Sequence, residues 1–185
     1  MYDDFGRYRT EEFLEHPANG ALRDALKATL EDPRLAKDAA YRKKQLEALQ
    51  VSLRAGELPP ALRDRILARI HRDLPEQKVF IRSSTNCEDL EGFNGAGLYD
   101  TVGNVIGDDA ILEAIKRVWA SIWNFKAYEA RSDAGIAHSS VYPGILVQQA
   151  VRPAVAGVLI SRDILGGQIG RRFYLNANPG FGENR

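Results

Sequence analysis

Three side chains able to hold an anion stand together at the end of a short apolar run, where Arg82, Ser83 and Ser84 follow Val79-Phe80-Ile81. The arginine presents a planar fork of donors that matches two phosphate oxygens at once, and each serine adds an O–H. Downstream, the segment from Gly92 to Gly97 is rich in glycine, so its backbone N–H groups can approach an anion with no Cβ in the way. The chemistry these residue types support is the binding of a polyphosphate. An Arg-Ser-Ser after a strand is by itself an ordinary solvated strand end, so the reading depends on what surrounds it.

The elements that must position these groups are legible in outline. Val79-Phe80-Ile81 is β-branched and aromatic and reads as a buried strand delivering Arg82 at its C-terminal end. Before it, residues 10 to 72 read as helices. Thr10 is an N-cap candidate, and a helix over 19–30 carries Leu22, Leu26 and Leu30 on one face. Another over 35–55 turns Leu46, Leu49 and Leu53 inward, with Arg42, Lys43 and Lys44 as a solvated face. A further helix opens at Pro60 and buries Leu62, Ile66, Leu67 and Ile70. This part carries no acid–base pair or phosphate loop and reads as scaffolding.

After the central stretch, Asp108 and Asp109 are expected to cap a helix over 110–123 with Ile111, Ile115, Val118, Trp119 and Ile122 buried. A helix over 124–134 should place Phe125 and Tyr128 inward and Lys126, Glu129 and Arg131 outward. Strands are predicted at 145–149 and 157–161, as an adjacent antiparallel pair, and at 172–176 beyond a turn at Leu165-Gly166-Gly167. Helices followed by a meander point to an α+β fold, with a helical part over 1–77 and an α+β part over 78–185 holding the phosphate-binding stretch 78–101.

Composition narrows the function classes. Lys plus Arg equals Asp plus Glu at 25 each, so no global field draws the chain to nucleic acid or an anionic membrane. One cysteine, Cys87, excludes an internal disulfide, and three scattered histidines give no metal-ligand spacing. With no signal-peptide pattern and no apolar run of about 20 residues, the expected location is the cytoplasm. Glu88 and Asp89 are adjacent on an extended segment and point opposite ways, so they are expected to bond the loop or orient Arg82 rather than share a metal. Cys87 has no partner to activate it. Trp119 and Trp123 could stack an adenine, but at helical spacing beside Ile115 and Ile122 they read as core.

With Glu88-Asp89-Leu90 and Ala96-Gly97-Leu98-Tyr99-Asp100-Thr101 at this spacing after Arg82, the stretch resembles the nucleotide-binding domain shared by pyruvate phosphate dikinase, phosphoenolpyruvate synthase, glucan water dikinase and rifampicin phosphotransferase. The resemblance continues through Ala114-Ile115-Lys116-Arg117-Val118-Trp119-Ala120-Ser121, through Ile145-Leu146-Val147-Gln148, and through Asn178-Pro179-Gly180-Phe181-Gly182-Glu183. It implies an ATP-grasp-type fold, present here in part. It also implies that Arg82 contacts the phosphates and is the catalytic group, with Ser83 and Ser84 beside it. Gly97 and Thr101 would line the phosphate side and Gln148 would reach the nucleotide; Glu183 ends a Gly-Phe-Gly-Glu that stands for the family's Gly-Leu-Gly-Glu, and turn geometry is preferred for it over a direct role.

The implied cofactors are ATP and Mg2+. The family's opening lysine and its metal ligands are expected to fall outside these 185 residues, so none of the metal ligands is assigned within the chain. Such a chain is expected not to turn over ATP alone. Its parent would pass a phosphoryl group to a phosphohistidine carrier domain, a role none of His16, His71 and His138 fits. The alternative is a non-catalytic module that keeps the fold to bind a nucleotide or a protein.

Overall fold

Proline, glycine and capping residues set most of the helix bounds. The computed structural model describes residues 13–75, 78–87, 89–90, 93–95, 97–161 and 173–180, with the backbone alone at 89, 90 and 94. The expectations placed on Thr10, Glu88, Gly92, Ala96, Leu165-Gly166-Gly167, Arg172 and Phe181 to Glu183, and on the side chain of Asp89, lie outside the described residues. The chain divides into two compact units, Met1–Ala150 and Val151–Arg185. Among the described residues no helix is long and apolar enough to cross a membrane.

In the first unit, helix α1 (Gly20–Glu31) begins after Asn19. The buried amide of Asn19 donates to the carbonyls of Phe13 and Glu57, both at 2.7 Å, and accepts from Glu57 N–H at 2.9 Å, tying three segments together. Leucine spacing predicts one helix over 35–55, but two form, α2 (Arg34–Lys37) and α3 (Ala39–Ala55). Asp38 separates them. Its backbone is extended and its carboxylate accepts the Tyr41 N–H at 3.0 Å, so the capping bond wins over continuing the helix. Helix α4 (Pro60–Asp73) starts on Pro60 as expected and buries Leu62, Ile66 and Ile70.

Helix α5 (Asp108–Ser121) differs from expectation at its start. Gly107, with φ +86°, occupies the N-cap position, and Asp108 and Asp109 lie in the first turn, where carboxylates suit the positive end of the dipole. Asp108 also pairs with His71 at 2.7 Å. Helix α6 (Phe125–Asp133) is capped by Asn124, which accepts the Ala127 N–H at 2.8 Å.

Two arginines expected to face solvent do not. Arg42 Nε pairs with Glu129 at 2.6 Å and its guanidinium lies over the rings of Phe125 and Tyr128, joining α3 to α6. Arg131 is fully buried. It stands three residues after Tyr128, so the helical period already places it on the inward face. Its Nη2 donates to the Ile122 carbonyl at 2.7 Å, and its guanidinium carbon sits 5.6 Å from the Trp123 ring centroid.

The sheet of this unit runs in the order β4 (Thr101–Val105), β1 (Val79–Ser83), β5 (Ile145–Gln149), all antiparallel. A small hairpin, β2 (Asp89–Leu90) with β3 (Phe93–Asn94), lies between β1 and β4 in sequence. The segments 145–149 and 157–161, predicted to pair, each have a strand partner within their own unit, the first in β1. The second takes its own partner, since β6 (Val155–Ile160) pairs with β7 (Tyr174–Pro179) as the hairpin of the second unit. Helix α5 packs on one face of the β4-β1-β5 sheet, over the buried Val79, Ile81 and Val105.

β5 closes on the end of β1 through Ser84 N–H, which donates to the Gly144 carbonyl at 2.9 Å. A Cβ on Gly144 would stand 2.1 Å from the Ser84 carbonyl oxygen. Both atoms belong to backbones held in the same ladder, so neither can yield alone. Gly144→Ala is expected to cost about 1–3 kcal/mol of stability, read as a lowered urea midpoint. A midpoint equal to wild type would show that the strand end is not fixed by this contact.

Candidate functional site

Alternation along β1 decides which side chains can act together. Val79 and Ile81 point into the core, while Phe80 and Arg82 point to the opposite face, where Arg82 is exposed. Thr101 lies directly across from Arg82 on β4, and Leu146 across from it on β5. Gln148 pairs with Phe80, so it shares this face, and its Oε1 accepts from Arg82 Nη1 at 3.3 Å. The open face therefore brings Arg82, Thr101 and Gln148 together. No ion pair involves Arg82 among the described residues, and its bond to a neutral amide leaves its charge uncompensated by that contact.

Ser83 alternates to the other face, with Ile81, and is half-buried. Ser84 is exposed one step beyond the strand, on the Arg82 side. Gly97 is exposed in a turn closed by Leu98 N–H to Gly95 carbonyl at 3.1 Å, with φ +75°, a conformation that glycine adopts without strain. It precedes Thr101 by four residues.

What holds this turn was not apparent from sequence. Asn124 Nδ2 donates to the Leu98 carbonyl at 2.6 Å, Asp100 N–H donates to Ser121 Oγ at 3.0 Å, and Arg117 Nε pairs with Asp100 at 2.9 Å. The C-terminal part of α5 and the cap of α6 thus fix the entry into β4. On the other side, Asn86 bonds the Ser140 carbonyl at 2.9 Å and the Tyr142 N–H at 2.7 Å. Buried Cys87 meets Tyr99 Oη at 3.2 Å, which gives the cysteine a structural place. Burial, and next the bond to Cys87, push the Tyr99 phenol above its ordinary value, while the neighbouring Arg131 acts the other way.

His138 stacks on Tyr128 at 3.7 Å between centroids and bonds Arg131 Nε at 3.3 Å and Ser132 Oγ at 3.2 Å. Burial first, and the Arg131 charge second, lower its pKa to about 4. In the unfolded chain the ring titrates near 6.5, so the folded state binds fewer protons between these values. Stability from this source is present above pH 6.5 and is lost as the pH falls toward 4. His138→Phe, which keeps the stack, should reduce the loss of urea midpoint between pH 7 and pH 4.5; an identical loss in both proteins would contradict this placement.

A cleft of about 630 Å3 lies elsewhere, among Phe13, Leu26, Leu30, Trp119, Trp123 and Val141. Its walls are mainly apolar and it is lined by none of Arg82, Ser83, Ser84, Gly97, Thr101 and Gln148. Trp119 and Trp123 are otherwise buried, 4% and 6% exposed, as core residues should be. The Arg82, Thr101 and Gln148 side chains of the open sheet face therefore stand apart from this cleft.

The strand thus ends in an exposed arginine with polar side chains, Thr101 and Gln148, on both neighbouring strands. The family model for the pyruvate phosphate dikinase AMP/ATP-binding domain matches residues 8–184. The chain belongs to this family. The dikinase-type ATP-binding domain is thus the setting in which the open face stands. A rifampicin phosphotransferase of Streptomyces sp is 31% identical over 170 residues, 91% of this chain and 19% of the relative. One from Bacillus subtilis is 37% identical over 107 residues, 58% of this chain and 12% of the relative. A phosphoenolpyruvate synthase of Pyrococcus furiosus is 28% identical over 152 residues, 79% of this chain and 18% of the relative. The chain spans less than a fifth of the length of these curated relatives.

Proposed function

We propose that the open face of β4-β1-β5 binds the phosphates of ATP, as part of an ATP-grasp-type domain whose parent protein cleaves ATP with Mg2+ and passes the phosphoryl group to a histidine on a carrier domain. The observation that carries this reading is the exposed Arg82, held between Thr101 and Gln148 in a chain of the dikinase ATP-binding family. Phosphoryl transfer asks a protein mainly for positioning and for neutralisation of oxygen charge. Arg82 would supply both, through two parallel N–H bonds to phosphate oxygens. Ser84 and Thr101 would add O–H donors, Gly97 would let the turn's backbone approach, and Gln148 would orient the guanidinium. Ser83, turned to the covered face, would act on the strand rather than on the ligand.

Among the described residues no three His, Cys, Asp or Glu side chains gather as metal ligands. Mg2+, when bound, would neutralise charge on the phosphate oxygens. The test is calorimetric titration of the chain with ATP, ADP and AMP at fixed Mg2+. Affinity should rise with each added phosphate and fall with salt; equal affinity across the series would remove the phosphates from the recognition.

A further inference from the structure

One aromatic side chain on the open face has no part in holding phosphate. Phe80 follows the same alternation as Arg82, two residues earlier on β1, and is half-buried where its strand neighbours Val79 and Ile81 are fully buried. It sits in the middle strand of the sheet. On one side its cross-strand partner is Gln148, the residue that accepts from Arg82. On the other side β4 is irregular: Val79 pairs with Val105 and Ile81 with Val102, so Gly103 and Asn104 together oppose Phe80. Asn104 takes φ +58° in this bulge.

The bulge leaves room that the phenyl ring uses. A Cβ on Gly103 would stand 2.5 Å from Phe80 Cε1 and 3.0 Å from Cδ1 and Cζ. The ring therefore lies over the bare Cα of Gly103, on the same face as the phosphate donors. Bulges re-aim side chains in this way and are frequent beside functional sites. A residue two positions along a strand is about 6.5 Å away, so an apolar surface begins where the phosphate donors end. That is the order of parts in a nucleotide, where a flat aromatic base and a sugar follow the anionic chain.

Resting on the phosphate reading of this face, we infer that Phe80, seated over Gly103, is the platform for the nucleoside part of the ligand and makes the face select a nucleotide over a bare polyphosphate. Stacking of a base on an aromatic side chain is tolerant of sequence and depends on the ring's surface. Phe80 is a specificity residue in this account, with no role in the transfer itself.

The test compares ATP with inorganic tripolyphosphate, both with Mg2+, on wild type, Phe80→Ala, Phe80→Trp and Arg82→Ala. Wild type should bind ATP more tightly than tripolyphosphate. Phe80→Ala should weaken ATP about tenfold and leave tripolyphosphate unchanged, so that the preference collapses. Phe80→Trp should restore the preference, and its added indole fluorescence should respond to ATP and not to tripolyphosphate. Arg82→Ala should weaken both ligands together. Equal weakening of both ligands by Phe80→Ala, or an ATP preference that survives it, overturns the inference while the Arg82 result still stands for the phosphate reading. If Arg82→Ala changes neither ligand, the phosphate reading fails and this inference falls with it.

Discussion

Arg82→Ala is expected to lower the affinity for ATP by roughly tenfold to a hundredfold, since a hydrogen bond to a charged group contributes about 1.5–3 kcal/mol. The loss should appear in calorimetry with Mg2+ present and should shrink in high salt, where the wild-type charge is screened. Arg82→Lys should fall between the two proteins, because an ammonium keeps the charge and loses the fork that grips two oxygens. The fold should not notice. Arg82 is exposed, and its side-chain bond is to the Gln148 amide at 3.3 Å, so the thermal midpoint of Arg82→Ala should lie close to wild type. A large fall in midpoint would make the arginine structural, and an unchanged affinity would place the phosphates elsewhere.

The largest expected effect on stability belongs to Trp119→Ala, at about 3–5 kcal/mol. Trp119 is 4% exposed on α5, the helix that covers the sheet, and its ring meets Phe13 at 5.5 Å between centroids. Truncation would join the space of the indole to the neighbouring cleft, leaving Phe13 and Ile122 with fewer partners. Trp119→Phe should lose less than half as much. The same pair of variants separates packing from base stacking, because Trp119→Phe should leave ATP affinity at the wild-type value. An affinity that falls with the indole while the fold persists would move the base from the open sheet face to the helical cleft. Chemical denaturation followed by circular dichroism reads the first effect and calorimetry the second.

The strand carrying Arg82 was legible because Val79-Phe80-Ile81 is short, β-branched and aromatic, and the helices were legible where leucines recur beside a proline or glycine stop. The α+β class followed from that order of elements. Strand β4 was not, since Gly103-Asn104 interrupts the β-branched residues Thr101, Val102 and Val105; the bulge that seats the pair is a tertiary feature. The joint placement of Arg82, Thr101 and Gln148 depends on strand order β4-β1-β5, which local sequence does not encode. Arg131 was misplaced for another reason. Residue type argued for solvent while the helical period argued for the core, and the carbonyl of Ile122 together with His138 made the buried position tolerable. Asn86, Ser121 and Asn124, which hold the loops around the site, are common polar residues with no pattern to mark them.

The most direct measurement is a titration of the 185-residue chain with a non-hydrolysable ATP analogue and Mg2+, followed by amide NMR. The account predicts the largest shifts at Phe80, Arg82, Thr101 and Gln148, saturating together, with the indole signals of Trp119 and Trp123 little changed. Shifts concentrated on Trp119, Trp123, His138 and Val141, with β1 unmoved, would contradict it.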